Sequence, residues 1–216
     1  MFLAGTVMSI EDWEKIDSPW RIFLREKDID VFHAADVWRK HKDNIAIFDR
    51  LADLILERNV AVWWGGLHKA DFDKIAPRFP RVDVKQYEFL VMAAIGGSSR
   101  TMKTLGQVGT MGVIIEDGGP GIRQHIRDKI RSHERRMGIY DHPFIESPKG
   151  PVPLQVADYI AWNYNRFMES QIEGRSRPAL PFFRKIDDQN KVRFWGKIFE
   201  EATIQDLFQQ LDAVTT

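Results

Sequence analysis

Two segments of the chain place carboxylates where they could do chemistry. In Pro153-Leu154-Gln155-Val156-Ala157-Asp158-Tyr159-Ile160-Ala161-Trp162, an acid sits in the first turns of an otherwise apolar helix. Burying an ionised Asp is costly unless it is paired or binds a cation. Gln155 lies one turn from Asp158 and could orient a ligand or a water. The structural alternative is that Asp158 caps or salt-bridges near a helix start. In Gly112-Val113-Ile114-Ile115-Glu116-Asp117-Gly118-Gly119-Pro120-Gly121, acids end an apolar strand. The carboxyl ends of parallel strands are where α/β sheets bind ligands. Carboxylates from two such elements can share divalent cations, which suits hydrolysis of a phosphodiester.

Other patterns are weaker. His33 in Val31-Phe32-His33-Ala34-Ala35-Asp36 sits among apolar residues, where a structural role is commoner than a catalytic one. His68, Asp71 and Asp73 could hold a metal, but their spacing reads as capping chemistry at a helix start. Gly118–Gly121 precedes a helix and could cradle a phosphate, yet it matches neither a Walker A loop nor a dinucleotide fingerprint. Trp63 and Trp64 have apolar neighbours and read as core rather than as a stacking platform.

The elements that must position these residues follow from periodicity. Phe2–Met8 reads as a strand, and Ser9 with Asp12 as a helix start. Ser18-Pro19 reads as the start of a further helical turn. Asp28–His33 is ambiguous. His41–Arg58 is an amphipathic helix with Ile47, Leu51, Leu54 and Ile55 on one face. Val60–Leu67 is a buried strand. Gln86–Leu105 is helical but weakened by Gly96-Gly97. Met111–Ile115 is a buried strand and Pro143–Ile145 a short one. Between them a helix over Gly121–Gly138 shows Arg123, Arg127 and Arg131 on one face. That face is either solvated or tracks a phosphate backbone. Pro153–Glu169 is a helix, Phe182–Phe199 a hairpin turning at Asp187–Asn190, and Thr203–Leu211 a closing helix.

Alternating strands and helices predict an α/β architecture. Length suits one main domain, residues 1–172, with 173–216 as a C-terminal extension that packs on it. Glu173–Pro181 is the expected soft connection. Apolar residues make up 44%, enough for a core, and seven Trp and fourteen Phe make it aromatic. Lys plus Arg equals Asp plus Glu at 31 each, so no bulk basic field exists and only a local stripe could meet nucleic acid. The chain has no cysteine, which excludes disulfides, thiolate metal sites and a Cys nucleophile. A metal would need carboxylates and His, favouring Mg²⁺ or Mn²⁺. The opening MFLAGTVMSI lacks a basic region and runs into acids, so a cytoplasmic protein without a membrane span is expected.

In order and spacing, the segments FLAGTV with EDW, FHAAD, VIIED and FIESPKGPVPLQVADYIAWNYNR resemble the DUF3800 family across most of the chain. The last block is the most specific. The resemblance implies an RNase H-like mixed sheet flanked by helices, and a divalent-metal-dependent nuclease. It implies Asp158 as the helix acid beside Gln155, and Glu116 or Asp117 as the strand acid. His33 matches the motif His, and Ser147 and Lys149 the segment before the last helix. Lys149 joins the arginines as a candidate nucleic-acid contact. Two departures alter the expectation. The family opens on a strand bearing Asp-Glu-Ser-Gly, which this chain lacks, and Val31 stands where the family has an acid. The first strand and one metal ligand are therefore expected to be missing. Either the chain is inactive as encoded, a non-catalytic binding module of the same fold, or its start lies upstream of Met1. A second copy could complete the sheet by strand exchange.

Overall fold

A computed structural model describes residues 2–58, 60–104, 114–116, 128, 144–146, 150–172, 185 and 193–215. The described residues form a mixed α/β structure, as the alternating pattern predicts. Strands β1 (Phe2–Val7), β2 (Ala61–Leu67) and β5 (Arg193–Phe199) make a three-stranded sheet in the order β1-β2-β5. Strands β3 (Ile114–Glu116) and β4 (Phe144–Glu146) form a separate parallel pair. No described helix is long and apolar enough to cross a membrane.

Contacts divide the chain into two compact units. One comprises Ala4–Val62 and Gly109–Phe194. Its first helix, α1 (Ile10–Glu26), starts as the sequence suggests: Ser9 Oγ accepts from the Asp12 N–H at 3.1 Å, and the Ser9 hydroxyl donates to Asp12 at 3.0 Å. The helix does not restart at Ser18-Pro19 but runs through Pro19. Two features span that point. Ile16, Trp20 and Leu24 bury one stripe, and Arg21 grips Asp17 through two hydrogen bonds. A Schellman-type stop ends α1. The Ile29 N–H bonds Leu24 O, the Asp28 N–H bonds Arg25 O, and Asp28 takes a left-handed φ of 57°. The chain thereby turns sharply into Asp30–His33.

Helix α2 (Ala34–Lys40) follows, where the sequence shows no clear period, and α3 (Asn44–Leu56) begins three residues later than the His41 start expected. His41 instead closes α2. Helix α6 (Val152–Ile172) packs on α1, α2 and β3. The core they enclose is aromatic: Trp20, Phe32, Phe48 and Tyr159 are fully buried and touch edge-on or tilted. Strand β3 is less enclosed than the apolar run implies, because Ile114 is 38% exposed.

The other unit comprises Met1–Leu3, Trp63–Val108 and Trp195–Thr216. Helix α4 (Lys69–Ile75), a 3₁₀ turn (Ala76–Arg78), α5 (Gln86–Thr104) and α7 (Glu201–Thr215) surround Phe72, Phe89, Phe199 and Phe208. Helix α5 is continuous across Gly96-Gly97. Gly97 has a packing reason: a Cβ there would collide with the Trp63 indole nitrogen, whereas one on Gly96 meets nothing within 4 Å. Trp63 is buried, as expected; Trp64 is half-buried, its ring over Gly196. The first arm of the expected hairpin and the Glu173–Pro181 connection lie outside the described residues, while its second arm is β5, placed next to β2.

The two neighbouring glycines should respond oppositely to alanine. Gly96→Ala should stabilise by about 0.5–1 kcal/mol through lost backbone entropy. Gly97→Ala should destabilise by about 1–3 kcal/mol, because the indole must move. Urea denaturation of both variants checks this, and equal signs would contradict the packing described.

Candidate functional site around Asp158 and Gln155

Helix α6 begins with an apolar face at Val152, Val156, Tyr159 and Ile160, all fully buried. Gln155 lies within the same surface at 3% exposure, and Asp158 at its edge is half-buried. Gln155 Oε1 accepts two hydrogen bonds, from Trp20 Nε1 at 3.1 Å and from the Phe32 N–H at 3.2 Å. Asp158 Oδ2 accepts from the Ala34 N–H at 2.7 Å. Ala34 is the first residue of α2, whose own N-cap, His33, makes no capping hydrogen bond through its side chain. A helix start leaves N–H groups without intrahelical partners. Asp158 therefore caps α2 from across the core. The sequence alternative of a capping role for Asp158 is met, but on a different helix from its own. The FHAAD and LQVAD segments are thus in direct contact, joined by Gln155 at Phe32 and Asp158 at Ala34.

The surroundings of Asp158 work against its charged form. Burial raises its carboxyl above the ordinary range. The Ala34 N–H and the nearby His33 pull it down, and Asp36 pushes it up, with burial prevailing. Among the described residues, Asp158 Oδ1 has no hydrogen-bond partner. His33 is half-buried beside it. Asp36 is turned to Arg39 at 3.0 Å and Lys40 at 3.3 Å on the surface.

Helix α6 also packs on β3, the strand ending in Glu116. The parallel register sets Glu116 opposite Glu146 at the carboxyl ends of β3 and β4. Asp117, Ser147 and Lys149 lie outside the described residues, as do Arg123, Arg127, Arg131 and the glycines of Gly118–Gly121. Among the described residues, no group of three or more His or acidic side chains could hold one metal ion. His68, Asp71 and Asp73 stand at the start of α4, with Asp73 accepting from Gln86 Nε2 at 2.8 Å.

Several residues here escape a sequence reading. Trp20 holds Gln155, yet in the sequence it is one member of an apolar stripe. The Tyr159 hydroxyl donates to Phe48 O at 2.9 Å, and burial, with Asp49 and Asp53 adding to it, pushes the phenol well above its ordinary value. Asp49 and Asp53 are one helical turn apart on α3 and grip Lys185 at 3.0 and 2.6 Å. Burial alone would lower that lysine, but its hydrogen bonds to Asp53 and Asp49 hold it above its usual value.

Compared with known proteins, the chain matches no family model, no curated protein and no solved structure.

The raised carboxyl has a consequence for stability. Asp158 binds its proton more tightly in the folded chain than in the unfolded one. Its favourable contribution is complete below the unfolded carboxyl value of about 3.9 and is lost as pH rises through the higher folded value. Relative to Asp158→Asn, the wild type should lose stability across that window and run parallel above it. Urea unfolding of both proteins between acid and neutral pH measures the difference, and a pH-independent gap would contradict the burial argument.

Proposed function

We propose that the chain is a divalent-metal-dependent phosphodiesterase acting on nucleic acid, on an RNase H-like scaffold of the DUF3800 type. The observation that carries this reading is the parallel register of β3 and β4. It sets two glutamates side by side at the strand ends where α/β folds bind ligands. Like charges directly opposite one another destabilise a sheet unless something neutralises them. The helix bearing Asp158 packs on the first of these strands.

The candidate donors have the chemistry of a hard cation site, although among the described residues no three acidic or His side chains gather around one point. Glu116, Glu146, Asp117 and Asp158 all offer oxygens, the chemistry that Mg²⁺ and Mn²⁺ prefer. The chemistry such a cation supplies is an activated water nucleophile and charge neutralisation at the leaving oxygen. The remaining work belongs to the chain. Asp158 would hold Oδ1 towards the cation while Oδ2 stays on Ala34. His33, one residue before Ala34, would orient water or phosphate. Gln155 acts one step back, as a positioning residue, because its oxygen already holds Trp20 and Phe32. Arg123, Arg127, Arg131 and Lys149 would hold the phosphate backbone.

A second reading rests on the same hydrogen bonds. Asp158 and Gln155 both satisfy backbone or indole N–H groups of their own unit. That use alone explains the LQVAD block, and it suits a non-catalytic nucleic-acid- or protein-binding module of this fold.

Cleavage assays on single- and double-stranded DNA and RNA with Mn²⁺ decide between the two. The enzyme reading expects cleavage abolished by EDTA and reduced on the order of a hundredfold or more by Glu116→Gln or Glu146→Gln. A folded wild type that binds nucleic acid without cutting it would establish the module instead.

A further inference from the structure

We draw no further inference here: the strongest candidate, the buried Asn163 side chain on α6, whose amide donates to the Tyr159 carbonyl at 2.7 Å while its Oδ1 has no hydrogen-bond partner among the described residues, carries nothing, because nothing in the described structure shows what group faces that oxygen.

Discussion

The N–H groups of Phe32 and Ala34 are satisfied by side chains of α6 rather than by neighbouring backbone. Phe32 is fully buried and Ala34 opens a short helix that lacks a side-chain cap of its own. Left alone, each N–H would cost about 1–3 kcal/mol. Gln155 and Asp158 remove that cost, and Gln155 also satisfies the Trp20 indole. The arrangement of α1, α2 and α6 depends on this. Trp20 can be fully buried only because its N–H finds Gln155. Phe32 can enter the core only because its backbone does the same. The position of His33, between the two tethered residues, is then set from both sides.

The same constraint explains why the unit's core is aromatic yet polar at its edges. Phe48 sits at the centre, touching Phe32, Trp38, Tyr159 and Trp162, while its carbonyl accepts from the Tyr159 hydroxyl. Outside it, Asp49 and Asp53 face away from the apolar stripe of α3 and hold Lys185. Large rings thus fill the volume, and the Trp20 N–H and Tyr159 hydroxyl that they carry inward end on Gln155 and the Phe48 carbonyl. At Asp158, burial raises the carboxyl, and one of its oxygens remains without a partner among the described residues. A capping carboxylate needs only one oxygen. The second is what makes Asp158 a candidate ligand as well as a structural pin.

Much of the fold was legible where one local signal dominates. The Ser9 and Asp12 capping pair, the Ile47–Leu51–Ile55 stripe and the apolar run of β2 each lead to the element observed. Pro19 misleads because proline is a usual helix start, but the Ile16–Trp20–Leu24 stripe across it carries more burial than one missing N–H costs. Gly96-Gly97 misleads for a similar reason, since a glycine spacing that weakens an isolated helix is what lets Trp63 pack here. Helix α2 was hidden because its cap comes from Asp158, far away in sequence. For the candidate site, the acids of the LQVAD and VIIED segments stand out by type, and their elements do pack together. What sequence could not show is which N–H groups Gln155 and Asp158 satisfy, or that Glu146 falls opposite Glu116. Both are consequences of pairing between distant segments.

The account turns on α6 holding the Phe32–Ala34 backbone, and native-state hydrogen exchange of those two amides reads this directly. Both should exchange only through global unfolding, with the same denaturant dependence as the buried helices of their unit. In Asp158→Ala, the Ala34 amide should lose most of that protection while Phe32 keeps its own. Rapid exchange of either amide in the wild type, at the rate of an open loop, would contradict the central claim.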